Sequence, residues 1–519
     1  MTSKRLNFRT FFTAMFLFMA FGMFAQVTVT GTVVEENGEP IIGATVREKG
    51  TTAGTATDLD GNFTIKVKDD KATLVFSYVG FETLEIALKG RTHLDVTMSE
   101  STTSLNELVV VGYGTMKKSD LAGASSTLNE SSLKGSVITN LDQSLQGRAA
   151  GVTAVTTSGA PGSSSSIRVR GQATINANAE PLYVIDGVIV QGGGNTGADF
   201  GLGDALGNGK VSTVSPLSTL NPQDIVSMEI LKDASATAIY GSQGANGVVL
   251  ITTKRGKAGE AKFTYDGTVS VAHQSKRLDM MNLREFAGYY NDLVATGQMT
   301  NNPTYADPSL LGVGTNWQDA IFQTAVSTTH QVAAQGGTEK VQYYVSGSYM
   351  NQEGTLIGSN FRRFSFRANV DAQLKKWLKL GLSATYSDTN EDLKLADGEA
   401  GIINYSLTTL PDIPIYDIDG NYSSVVREGY TNPNPVALAM LDDIKLHRQK
   451  LTGNVFFDVT PIKNLTWHAE FDYDVSASKG DRFKPTVDLG GWVRSSNSSA
   501  IQKNSSWFWA VKNYVSYNG

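Results

Sequence analysis

From Phe263 onward the side chains alternate in character, and that two-residue period limits the fold more than any other feature of the chain. Phe263, Tyr265, Gly267, Val269 and Val271 fall on one face of an extended segment, with Lys262, Thr264, Asp266, Thr268 and Ser270 on the other. The alternation recurs at 341–349, 378–386, 455–459, 465–475 and 507–517. Successive side chains of a strand point to opposite faces, so each segment reads as a strand with one apolar and one polar surface. Segments of about ten residues with this pattern mark a membrane β-barrel. Tyr349, Tyr386 and Tyr473, near segment ends, suit its aromatic girdles. A large soluble β-protein has the same period, and alternation alone does not separate the two.

The opposite end of the chain is an address. Lys4, Arg5 and Arg9 precede an apolar run from Phe11 to Phe24, broken only by Thr13 and Gly22. This is the form of a secretory signal peptide, residues 1–25, with cleavage expected after Ala25. No later run approaches the roughly 18 apolar residues of a membrane helix, so entry into lipid would have to use a closed barrel.

Two further zones lie between. Residues 26–100 read as a small β-sandwich, with short alternating strands punctuated by Asn37-Gly38 and Asp60-Gly61 turns. The run Asp58-Leu59-Asp60-Gly61-Asn62 resembles the start of a calcium loop, but Phe63 stands where such a loop needs glycine, which leaves a hairpin turn. Residues 101–119 form a linker, and 120–257 mix helix with strand. Helical spacing runs from Val137 to Ala149 and stops at Gly151, and a second short helix is expected from Asp233 through Tyr240 to Gly241. Pro181 to Val190 reads as a strand, an Asp186-Gly187 turn and a returning strand. This zone is an α+β domain, and 258–519 is the strand-rich remainder.

These residues resemble the SusC/RagA-type TonB-dependent outer-membrane transporters of Bacteroidota. The specific stretch starts at Leu220-Asn221-Pro222-Gln223-Asp224-Ile225 and passes through Glu229-Ile230-Leu231-Lys232-Asp233-Ala234-Ser235 to Ala238-Ile239-Tyr240-Gly241. It ends with Gly244-Ala245-Asn246-Gly247 and the strand through Thr253 to Gly256. Arg168, Arg170 and Gly171, with Asp186 and Gly187, agree with it as flanking pieces. The resemblance implies a carboxypeptidase-regulatory-like β-sandwich, an α+β plug domain, and then the first strands of an incomplete antiparallel transmembrane β-barrel. It also implies residence in a Gram-negative outer membrane, with the N-terminal domain and plug accessible from the periplasm. Implied partners are outer-membrane lipid, the TonB energy-transducing complex and a SusD-like surface lipoprotein, and the implied cargo is an oligosaccharide or peptide.

The candidate TonB-contacting segment is Glu107, Leu108, Val109, Val110, Val111 and Gly112. An exposed extended segment between folded domains can add itself to a partner's sheet edge. Equally, it reads as the first strand of the plug, buried at rest. Arg168 and Arg170 are expected to pair with carboxylates rather than touch ligand. The Gly192 to Gly209 loop is a ligand-contact candidate whose composition also suits a plain connector.

Chemistry of other kinds finds no support in the residues. The chain has no cysteine, which removes disulfides, thiolate metal sites and cysteine nucleophiles. His93, His273, His330, His447 and His468 are scattered, with no H-E-x-x-H pattern. His468 and Glu470 lie two apart on a strand pattern and are expected to line a barrel wall. Gly112 and Gly114 are followed by Lys117 where a dinucleotide loop needs glycine, and Asp442-Asp443 reads as a solvated loop pair. A net charge of −6 gives no footprint for nucleic acid. No catalytic residue, metal or cofactor is therefore expected. The alternatives to an importer are a passive cell-surface glycan-binding protein or adhesin, or a remnant pseudogene product.

Length sets a further expectation. Plugged barrels have about 22 strands, while about eight such patterns follow Gly259. A barrel of eight strands is filled by its own side chains and has no room for a plug. The sequence thus reads as an N-terminal fragment that neither closes a pore nor transports alone.

Overall fold

The computed structural model describes residues 27–35, 38–51, 54–78, 81, 83–99, 108–111, 114–117, 125–130, 141–156, 159–163, 165–171, 179–190, 216–396, 401–425 and 430–517. The expected signal segment, residues 1–25, lies outside them. The described residues fall into two compact units.

The N-terminal unit holds seven strands: Val27–Glu35 (β1), Thr45–Glu48 (β2), Gly54–Ala56 (β3), Asn62–Val67 (β4), Thr73–Ser77 (β5), Leu84–Ala87 (β6) and His93–Met98 (β7). They form two sheets, ordered β4-β1-β7 and β3-β2-β5-β6. Period-two burial explains why: Phe63, Ile65 and Val67 on β4, and Leu94, Val96 and Met98 on β7, join Val29, Val33, Leu74 and Phe76 in one core. Asp58 closes the expected turn, its carboxylate accepting from the Asp60 and Asn62 amides. Gly61 supplies the positive φ of 75° that this turn requires.

Leu108–Val111 (β8) and Gly114–Lys117 (β9) pair with each other. The central α+β domain follows, with Ser125–Asn129 (β10), Val152–Thr156 (β11), Ser165–Val169 (β12), Leu182–Ile185 (β13), Val188–Val190 (β14), Ile225–Leu231 (β15) and Val248–Thr253 (β16). Its main sheet runs β10-β15-β16-β13-β14, with β13 and β16 parallel, and β11 pairs with β12. Leu141, Leu145, Ile167, Tyr183, Ile230 and Val249 are in its core. The helix expected from Val137 to Ala149 is, within the described residues, only a 3₁₀ turn at Leu141–Leu145. The second expected helix is also shorter, Ala234–Thr237, and a 3₁₀ segment Ala238–Gly244 carries it beyond Gly241. Gly241 breaks the helical geometry at φ 57° and ψ −142°.

Eight long strands then build one antiparallel sheet: Gly259–Ala272 (β17), Ala325–Gly337 (β18), Val341–Glu353 (β19), Asn360–Lys375 (β20), Leu378–Asp392 (β21), Asp443–Ile462 (β22), Leu465–Lys484 (β23) and Ser498–Tyr517 (β26). The short strands Val487–Asp488 (β24) and Val493–Arg494 (β25) form a separate hairpin. Among the described residues nothing joins β17 to β26, so the sheet is open, the first strands of an incomplete barrel. Its burial is inverted relative to a soluble sheet. Ser346, Ser348, Arg363, Arg367, Asn369, Ser383, Asn454 and Asp472 are buried, whereas Tyr349, Phe364, Phe366, Phe457, Phe471 and Trp509 are exposed. Apolar outside and polar inside is the arrangement of a wall between lipid and a polar interior.

Turns at 338–340, 376–377 and 463–464 close one rim. The other rim carries long connections, 273–324 and 393–442, with helices at Leu283–Ala295, Trp317–Ile321, Ile402–Thr408 and Pro435–Leu441. Trp317, Ile321, Ile402, Ile413 and Val436 pack these connections into a core of their own, joined by Leu356 from the β19–β20 connection. Short turns on one side and long loops on the other give such barrels their periplasmic and extracellular ends.

Candidate functional site

The site is the face of the wall against which the central domain rests, and the sequence builds it from a tight turn. Asp186 and Gly187 are the two loop residues between β13 and β14, with Ile185 paired to Val188 and φ of 48° and 92°. Positive φ at both positions is the type I′ geometry that Asp-Gly favours. The turn places the Asp186 carboxylate against β16, where it accepts from the Thr253 amide at 3.0 Å and the Thr253 hydroxyl at 2.5 Å.

Arg367 of β20 completes this arrangement from the wall. Its guanidinium ion-pairs with Asp186 and also donates to the Thr253 hydroxyl, with side-chain exposures of 2% for Arg367 and 3% for Asp186. Burial alone would raise the Asp186 pKa. The Arg367 charge, the Arg255 charge and the Thr253 hydrogen bonds outweigh it and hold the carboxyl below its ordinary value. The turn's backbone is gripped as well. Lys512 of β26 donates to the Gly187 carbonyl at 2.8 Å, and Asn454 of β22 to the Asp186 carbonyl at 3.4 Å.

A second node is Asp224, which ends the 3₁₀ turn Pro222–Asp224 capped by Asn221. One of its carboxylate oxygens accepts from Gln331 at 2.5 Å, Tyr344 at 2.7 Å and Ser346 at 2.9 Å, all on the wall. Nearby, Arg363 donates to the carbonyls of Ser218 and Leu220, each at 2.7 Å, and Asn369 donates to the Lys254 carbonyl at 2.6 Å. Arg363, Arg367 and Asn369 are all odd-numbered positions of β20, so one face of one strand supplies three of these holds. Around them the wall offers mainly small hydroxyls, Ser365, Ser383, Ser387 and Thr452 among them.

The residues singled out from sequence spread through this domain. Arg170 ion-pairs with Asp233, as expected of it, and the side chain of Asp233 makes no capping hydrogen bond to the helix that follows. Arg168 donates to the Ile167 carbonyl at 3.3 Å. Gly171 and Gly247 adopt positive φ, 92° and 89°, Gly244 packs against Thr237, and Tyr240 is buried. Asn246 lies half-buried beside Gly247. Of the candidate TonB-contacting residues, 108–111 form β8, outside the five-stranded sheet, while Glu107 and Gly112 lie outside the described residues. The Gly192 to Gly209 loop also lies outside them. His468 does line the wall, between Asp458 at 2.6 Å and Glu470 at 2.9 Å. Asp442 is not a solvated loop residue as expected, because Arg494 holds both its oxygens, at 2.6 and 3.2 Å.

Sequence reading did not single out Arg363, Arg367, Gln331, Tyr344 or Lys512. A cation on the polar face of a strand was the available signal, and it is equally the signal of a solvated face.

Residues 29–110 match the CarboxypepD_reg-like domain, and residues 117–248 match the TonB-dependent Receptor Plug Domain. The chain is 33% identical to TonB-dependent receptor P3 of Formosa agariphila, over 95% of this chain and 46% of that protein. It is 36% identical to TonB-dependent receptor SusC of Bacteroides thetaiotaomicron, over 85% of this chain and 44% of that protein. A solved structure of the RagAB peptide importer in the "open-open" state is similar at TM-score 0.64 and 25% identity, covering 79% of this chain and 47% of that one. The chain thus spans somewhat under half the length of the curated relatives it matches.

Proposed function

We propose, from the premise that the chain belongs to the SusC/RagA-type TonB-dependent receptors, that it supplies the plug and part of the barrel wall of an outer-membrane importer. Its energy comes from the TonB complex, and a SusD-like surface lipoprotein delivers an oligosaccharide or peptide. One observation carries this reading: a polar wall face, apolar on its other side, grips a separate α+β domain through buried, hydrogen-bonded charges. A passive surface binder has no need of a domain held inside its wall. Residues 107–112 are the segment offered to TonB, adding a strand to the partner's sheet through main-chain hydrogen bonds.

Deleting residues 107–111 tests the reading in the receptor that carries this chain. Uptake of labelled oligosaccharide or peptide falls to background while the yield of membrane-inserted protein stays unchanged. Uptake that survives the deletion contradicts the TonB assignment, and uptake indifferent to a protonophore favours the passive binder.

A further inference from the structure

We propose that the short-turn rim of the wall is a docking surface for anionic phospholipid headgroups of the inner leaflet, an inference that rests on reading the sheet as an outer-membrane wall. Each of the three short connections carries lysine: Lys340 after β18, Lys376 after Lys375 at the end of β20, and Lys463 between β22 and β23. All four are exposed, and none forms an ion pair among the described residues; Glu339 is the one carboxylate on these turns. Directly beside them the lipid-facing surface ends in Leu374, Trp377, Ile462 and Trp467, each about half exposed or more.

The opposite rim is different. There Lys445 pairs with Asp443 at 2.8 Å, Lys479 with Asp481 at 2.7 Å, His447 with Asp388 at 3.0 Å and Arg362 with Asp392 at 3.6 Å, while Lys276, Lys484 and Lys503 form no ion pair among the described residues. At the short-turn rim exposed lysine stands at every connection, with Glu339 the one carboxylate on the turns, next to Trp377 and Trp467. Tryptophan settles at headgroup depth, and lysine stems lie along apolar surface while their ammonium groups reach for water and phosphate. The chemistry that fits a row of ammonium groups above an apolar, indole-edged band is a lipid phosphate with acyl chains below it. Attraction of this kind acts within about a Debye length, so it is salt-sensitive.

The test uses the receptor reconstituted in nanodiscs of phosphatidylcholine and phosphatidylglycerol, with retained lipid counted by native mass spectrometry. The wild type is expected to keep phosphatidylglycerol over phosphatidylcholine by roughly tenfold, K376Q to lose about twofold of that preference, and K340Q/K375Q/K376Q/K463Q to reach parity. K479Q/K503Q, on the opposite rim, keeps the wild-type ratio. An unchanged ratio in the quadruple variant overturns the proposal, as does loss of retention to millimolar inorganic phosphate, which points to a small-anion site. Unchanged lipid with lost capture of the TonB periplasmic domain also overturns it, making the rim a protein-docking surface. If the quadruple variant does not insert, K340Q, K463Q and a salt titration of the wild type decide the same question. Dependence of uptake on residues 107–111, read in the same preparations, tests the importer reading separately.

Discussion

Arg367, at the centre of a barrel-wall strand, ion-pairs with Asp186, the first loop residue of a hairpin in the plug domain. Both side chains are sealed from solvent, and Thr253 hydrogen-bonds to both. The pair ties the two domains through residues 181 positions apart in sequence, at the point where the plug backbone is also held by Lys512 and Asn454.

Arg367→Ala leaves Asp186 buried with one partner fewer. The plug should then come away from the wall more easily, by about 3–5 kcal/mol, the usual effect of removing one member of a buried pair. Protease cleavage within the plug over a urea series measures this, and a cleavage midpoint equal to wild type would contradict it.

The pH dependence follows from the sign of the Asp186 shift. Its carboxyl is held below the ordinary value, so the stabilisation is fully present above the unfolded-state pKa of about 3.9 and is lost as pH falls through the lower folded value. Plug release should be flat from neutrality down to about pH 4 and rise only below it. In D186N the acid-dependent part should be much reduced, leaving a plug weakened at every pH.

Asp224 gathers three wall donors on one oxygen, so no single donor is decisive. Tyr344→Phe removes the shortest hydroxyl contact, 2.7 Å, and should weaken plug retention by about 1.5–3 kcal/mol, the range for hydrogen bonds to charged groups. A double-mutant cycle of Y344F with D224N should show coupling, because the phenol then has no carboxylate to meet.

Gly247→Ala tests whether the family signature in the plug is structural. Its φ of 89° disfavours a side chain, and a Cβ there would meet Val169 at 3.0 Å. A loss of at least about 1–2 kcal/mol is expected in denaturant unfolding. G159A, with open space around it, should unfold like wild type.

The parts of this architecture visible in the sequence are those with local causes. The Asp186-Gly187 turn could be read because its two residue types fit a turn needing positive φ twice, and the Phe263 to Val271 alternation because β17 keeps strict parity. Strand β20 was missed: Phe361 points inward while Phe364 and Phe366 point outward, so its apolar residues change parity and the period is broken. The helix Leu283–Ala295 was missed although Asn282 and Glu285 form a capping box, a signal that was present and went unread. The plug–wall contacts were out of reach for another reason. Nothing local distinguishes Arg367, buried against a carboxylate, from Arg362, half-exposed at the rim, because the partner lies far away in the chain.

The most direct measurement places a photoreactive amino acid at Val109 and, separately, at Val111 in the living cell. Energised transport through β8 predicts a cross-linked product with TonB that disappears when residues 107–108 are deleted or TonB is absent. Cross-links formed only within the plug, unchanged by the loss of TonB, would contradict the account and make β8 a structural strand.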